Sequence, residues 1–142
     1  RLTVPEDSFH PVPFFSFGDR GFTYDDIDYT LNATQYGYYY TQVSFYSDTI
    51  AQNPPTTSTE RSAASARMDN NWLSIAPDAK LIVDGVEYSI LEEEGHSAVW
   101  MDSEGDASKP YRCYMHLFFP DIKYGYVESI ILEIGGESVT IK

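Results

Sequence analysis

Apolar and polar residues alternate in short runs along most of this chain, which is the period of a strand with one face buried. The clearest run is Tyr36-Gly-Tyr-Tyr-Tyr-Thr-Gln-Val-Ser-Phe-Tyr46, where aromatic and β-branched residues fill one extended segment. Alternation sends Tyr39, Thr41, Val43 and Phe45 to one side, and Tyr38, Tyr40, Gln42, Ser44 and Tyr46 to the other. The first set reads as core. The second reads as a tyrosine-lined surface.

The same period recurs elsewhere. From Tyr24 to Ala33, Ile27, Tyr29 and Leu31 share one parity while Asp26, Asp28 and Thr30 share the other. Lys80 to Ile90 is interrupted by Asp84-Gly85, a pair that tolerates the positive φ angles of a type I′ turn, so it predicts a β-hairpin. His96 to Met101 predicts a short strand, and Asp102 to Pro110 a loop. Tyr111 to Phe119 alternates until Pro120. Val127 to Ile134, Gly135-Gly136 and Val139 to Ile141 repeat the hairpin pattern.

Two stretches break the pattern. Residues 1–22 set Pro5, Pro11 and Pro13 among Phe9, Phe14, Phe15, Phe17 and Phe22, and predict an extended lead-in that packs aromatics across a sheet edge. Residues 52–68 hold no large apolar side chain before Met68; the Thr57-x-x-Glu60 capping pattern ahead of alanines allows a short helix over about Glu60 to Met68, and a loop is the alternative. The sum is one domain over residues 1–142. It is all-β, an immunoglobulin-like antiparallel β-sandwich of seven or eight strands with at most one short helix, a small closed barrel being the other solution.

Composition and charge narrow the function more than they define it. Aromatic residues make up 15% of the 142 positions, enough for a buried core without metals or disulfides. A net charge of −13 repels phosphate backbones and anionic lipid surfaces, so neither nucleic acid nor a membrane surface is an expected partner. No run of about 20 apolar residues predicts membrane insertion. The lone Cys113 excludes an intrachain disulfide and reads as a buried thiol. Because the chain opens at Arg1, any targeting segment would lie upstream.

Catalytic chemistry finds little support. His10, His96 and His116 lack metal-ligand spacing, no Gly-x-Ser-x-Gly elbow exists, and no glycine-rich loop precedes a helix, so no metal, cofactor or enzymatic role is expected. His116 shares the parity of Tyr114 and Phe118 and reads as a half-buried histidine. Asp102, Glu104 and Asp106 offer oxygen ligands at alternate positions without completing a calcium loop, and Asp25-Asp26-x-Asp28 reads as a solvated acidic turn. Asn32-Ala-Thr34 matches a glycosylation sequon. The candidate binding residues are therefore Tyr38, Tyr40, Gln42 and Tyr46, whose rings and amide could hold a protein partner or stack on sugars.

Three segments, Trp72-Leu-Ser-Ile-Ala-Pro-Asp-Ala-Lys-Leu-Ile-Val-Asp-Gly-Val-Glu-Tyr88, Met115-His-Leu-Phe-Phe-Pro120 and Val127-Glu-Ser-Ile-Ile-Leu-Glu-Ile134, cover about half the chain. They resemble a strand entering an Asp-Gly hairpin and the closing strands of the immunoglobulin-like, telokin-like domains of exported bacterial lipoproteins. The stretch from Asn53 to Arg67 and the tyrosine-rich strand depart from that pattern, and the Cys…Trp…Cys core of antibody domains is missing. The resemblance implies an extracytoplasmic location and a non-catalytic interaction or accessory role, and transfers no functional residues. The alternative is a carbohydrate-binding module using Tyr38, Tyr40 and Tyr46, with Trp100 as a further candidate.

Overall fold

The computed structural model describes residues 20–36, 40–92, 95–96, 100–102, 112–122 and 127–142. In chain order its elements are β1 (Gly21–Tyr24), β2 (Ile27–Tyr36), β3 (Tyr40–Ser47), the single helical turn α1 (Thr49–Gln52), α2 (Ser58–Ile75), β4 (Lys80–Val83), β5 (Val86–Ser89), β6 (Trp100–Asp102), β7 (Arg112–Pro120), β8 (Ile130–Ile134) and β9 (Glu137–Thr140). A 3₁₀ turn at Ala76–Asp78 joins α2 to β4.

Every strand pairing is antiparallel, and the strands form two sheets, β1-β2-β3-β7-β6 and β5-β4-β8-β9. One buried cluster joins them: Val43, Phe45, Met115 and Leu117 come from the first sheet, and Leu81, Leu132 and Val139 from the second. The mostly-β sandwich expected from the alternation is the observed architecture. Ile27, Tyr29 and Leu31 are buried as their parity required, and an irregularity between Leu31 and Ala33 then shifts the register, so Thr34 is the next residue inside. The Asn32-Ala-Thr34 sequon sits on that bulge.

Turn chemistry explains the hairpins. Asp84 (φ 48°) and Gly85 (φ 82°) both occupy the left-handed region that a type I′ turn demands. Asp84 Oδ1 also accepts the backbone N–H groups of Glu128 (2.9 Å) and Ser129 (2.8 Å), which ties this turn to the entry of β8. Asp84→Ala is therefore expected to lose about 1–2 kcal/mol from the left-handed backbone alone, whereas Asp84→Asn, which tolerates that backbone and keeps an amide oxygen, should stay near wild type. Urea melts of both variants check this; equal midpoints would deny the turn its role. Asp25 (φ 52°) and Asp26 (φ 58°) form the acidic turn, and it closes a hairpin between β1 and β2 where a single strand from Tyr24 was expected.

The helix is the main departure from expectation. It starts as the capping pattern required, with Thr57 Oγ1 accepting the Glu60 N–H at 3.1 Å, while Glu60 Oε2 reaches back to the Thr56 amide and hydroxyl. It then continues past Met68 to Ile75, for 18 residues in all. Trp72-Leu-Ser-Ile75, expected as strand, is its last turn. The cause is the i, i+4, i+7 stripe of Met68, Trp72 and Ile75, the buried residues of α2. Trp72 is fully buried against Tyr29 (ring centroids 5.9 Å) and Phe45 (6.3 Å). On the outside, Asp25 accepts from Asn71 Nδ2 at 2.9 Å and from Arg67, and the Asn71 hydrogen bond is the main cause holding its carboxyl below the usual range. Of the lead-in, Phe22 alone among those phenylalanines falls within the described residues; it stacks on Tyr29 at 4.7 Å inside the core.

Candidate functional site

The run Tyr36–Tyr46, expected as one strand, is split: Tyr36 ends β2 and pairs with Thr41 of β3, and within β3 the residues alternate between two sides, though Ser44 on the outer side is buried as well. Thr41, Val43, Phe45 and Ser47 are buried toward the core. Tyr40, Gln42, Ser44 and Tyr46 occupy the outer face, where the first three neighbours of β7 in register are Pro120, Phe118 and His116, followed by Tyr114 beside Tyr46. Tyr40, Gln42 and Tyr46 are all half-buried rather than open. Tyr38, the remaining candidate, lies outside the described residues. Register also places Trp100 of β6 beside Tyr114, so the row Tyr46, Tyr114, Trp100 crosses three neighbouring strands.

Tyr40 meets Phe118 with centroids 5.2 Å apart and planes at 85°. Tyr46 lies under the Arg112 guanidinium, 4.1 Å from ring centroid to Cζ. Arg112 is in turn fixed by Asp48 through a two-pronged ion pair, Nε to Oδ1 at 2.7 Å and Nη2 to Oδ2 at 2.9 Å. Those hydrogen bonds push the guanidinium pKa further up.

Between the aromatic groups sits a polar cluster that the sequence did not announce. His116 Nδ1 is 2.6 Å from Ser44 Oγ and 3.1 Å from Gln42 Nε2, and Gln42 Nε2 donates to Ser44 Oγ at 3.0 Å. Gln42 Nε2–H has Ser44 Oγ as its acceptor, so the three contacts fit either tautomer of the neutral imidazole. Desolvation lowers the His116 pKa below its ordinary value, in keeping with that neutral form. The Ser–His contact has the spacing of a nucleophile and its base, but Ser44 is only 4% exposed, which closes the hydroxyl to a substrate carbonyl.

Other expected chemistry fares differently. Cys113 is fully buried and its thiol is pushed up to about 12 by desolvation, with Asp48 adding to the effect, so it is a poor nucleophile at neutral pH. Glu104 and Asp106 lie outside the described residues, as does His10. His96 is half-buried and paired through its backbone to Leu117; among the described residues no group of His, Cys, Asp or Glu could hold a metal ion. Two clefts are lined by described residues. One, of about 620 Å³, runs between α1 and α2 past Ile50, Pro55, Arg67 and Met68; the other, of about 480 Å³, lies between Asp78, Lys80 and the β8–β9 turn. In the first, Arg67 is engaged by Asp25 and Glu60 by Thr56.

The chain matches no family model, no curated protein and no solved structure.

Proposed function

We propose that this chain is a non-catalytic interaction module whose partner surface is the outer face of β3 and β7. One observation carries the reading. In a protein with 22 acidic residues, the outward positions of these two central strands, Tyr40, Gln42, Ser44, Tyr46, Arg112, Tyr114, His116, Phe118 and Pro120, include no carboxylate. Their one fixed charge, Arg112, is already paired with Asp48. Interface centres have this make-up, depleted in charge and rich in Tyr, Phe and Arg.

Ring geometry favours a protein partner over the carbohydrate alternative. A sugar platform needs aromatic faces open and roughly coplanar, whereas one face of Tyr46 is covered by Arg112 and Tyr40 stands perpendicular to Phe118. An extracytoplasmic location and kinship with immunoglobulin-like lipoprotein domains belong to the same proposal; the kinship is supported by the Asp84–Gly85 hairpin and strand β8, and the location rests on the sequence resemblance alone. The side-by-side order of β1, β2 and β3 differs from the ABED and CFG sheets of antibody constant domains, which makes any such kinship distant. No helix among the described residues is long and apolar enough to cross a membrane.

A photo-crosslinking residue at position 42, compared with one at position 133 on the second sheet, tests the surface in cells that make the protein. A discrete adduct from position 42 alone is the expected result. Equal labelling at both positions, or none at either, would remove the proposal. A glycan array run in parallel decides the alternative: specific binding that Tyr40→Ala abolishes would replace a protein partner with a sugar.

A further inference from the structure

The cleft between α1 and α2, about 620 Å³ in volume, falls within the roughly 300–1,000 Å³ of sites that hold small molecules. Its floor is apolar. Ile27 and Met68 are fully buried beneath it, whereas Ile50, Pro55 and Ala64 around them are only half-buried and leave apolar surface uncovered. Helical spacing decides what stands at the rim. Glu60, Ala64 and Arg67 follow at i, i+4 and i+7 and so share one face of α2, with a carboxylate at one end, a guanidinium at the other and a single methyl between them. All three line the cleft.

Both charges are held in place and keep bonding capacity. Asp25 fixes Arg67 through Nη2, 2.7 Å from its carbonyl oxygen, and through Nε, 3.4 Å from its carboxylate, and among the described residues Nη1 has no partner. Glu60 Oε2 accepts from the Thr56 amide and hydroxyl at 2.8 and 2.9 Å, which leaves Oε1. The side-chain amides of Gln52 and Asn53 complete the polar lining. We infer that this cleft binds a short zwitterionic peptide, its amino group at Glu60, its carboxylate at Arg67 and an apolar side chain over Ala64 against the floor of Ile27 and Met68. Length follows from the helix. A rise of about 1.5 Å per residue puts Glu60 and Arg67 roughly 10.5 Å apart along the axis, and an extended tripeptide at about 3.3–3.6 Å per residue spans the same distance. Charge points to the same class of ligand. The field of a chain with net charge −13 repels a simple anion and Arg67 repels a simple cation, whereas a zwitterion carries no net charge. Because Asp25 already offsets much of the guanidinium charge, the carboxylate is held by hydrogen bonds from Nη1 rather than by long-range attraction.

Nuclear magnetic resonance titration with the free tripeptide Ala-Leu-Ala tests the site. Saturable movement of the Ile50, Ala64 and Met68 backbone amide signals is expected at about 0.1–5 mM peptide, with the Gln42 signals on the outer face unmoved. Acetylating the peptide's amino group or amidating its carboxylate should each weaken binding about three- to tenfold. Two variants then assign the ends. Glu60→Gln, which keeps a side chain able to reach back at the helix start, should remove the penalty for acetylation and leave that for amidation; Arg67→Gln should do the reverse. The blocked peptides read both charges in the unaltered protein, so the test does not hang on the variants. Absence of saturable movement, equal binding of the free and blocked tripeptides, binding of free leucine as tight as that of the tripeptide, or penalties unchanged in the two variants would each overturn the site. This cleft and the outer face of β3 and β7 stand or fall separately, since crosslinking from position 42 reads only the latter.

Discussion

Replacing Trp72 with alanine is expected to cost about 3–5 kcal/mol, a large share of the 5–15 kcal/mol typical of a whole domain. Trp72 is fully buried and is the contact through which α2 meets the sheet, touching Tyr29 and Phe45, with Phe22 stacked behind Tyr29 and edge-on to Phe45. The rest of the helix gives it little to fall back on. Met68 and Ile75 are its other buried residues, and the turns from Ser58 to Arg67 are exposed or half-buried. Such a helix owes its stability to tertiary packing rather than to its own propensity. Loss of helical circular dichroism ahead of the global melt should accompany the drop in stability.

A second substitution at the same position separates packing from polarity. The Trp72 Nε1–H is buried without a hydrogen-bond partner among the described residues, as is the Tyr29 hydroxyl, whose pKa desolvation raises well above that of a free phenol. An orphaned buried donor costs about 1–3 kcal/mol. Trp72→Phe discards that donor along with part of the ring, so its loss should be well below that of Trp72→Ala. Denaturant melts giving the two variants equal losses would show that the indole N–H is satisfied after all, and that ring volume is not what anchors α2.

Much of this architecture is visible in the sequence because its causes are local. Asp84-Gly85 specifies a turn within two residues, and Val43 with Phe45 marks a core face within three. Alternation also puts His116 on the outer side of β7. What the sequence could not supply is pairing: Ser44 and His116 are 72 positions apart and meet only because β3 lies beside β7 in one particular register. Asp48 and Arg112, 64 apart, are brought together by the same alignment. The full length of the helix is hidden for a different reason. Its outward residues are small and polar, and the Met68, Trp72, Ile75 stripe that betrays it begins where the alanine-rich stretch ends, next to Pro77 and β4, so that these apolar residues read as the start of a strand.

Phe45→Ala and Tyr40→Ala, on opposite sides of β3, should behave as different kinds of change. Phe45 is fully buried between Phe22 and Trp72, so its removal opens a cavity in the middle of the aromatic cluster and should cost about 3–5 kcal/mol. Tyr40 is half-buried and its described ring contact is the edge-on pair with Phe118. Losing that pair is worth about 0.5–1.5 kcal/mol, and the larger effect of Tyr40→Ala should fall on whatever the outer face holds. Urea melts of the two variants, run beside crosslinking from position 42 in the Tyr40→Ala background, measure both halves. Stability nearly unchanged with crosslinking weakened is the expected pattern for Tyr40. Equal large losses of stability in the two variants would mean that both sides of β3 serve the interior, and the partner surface would then have no residues left to stand on.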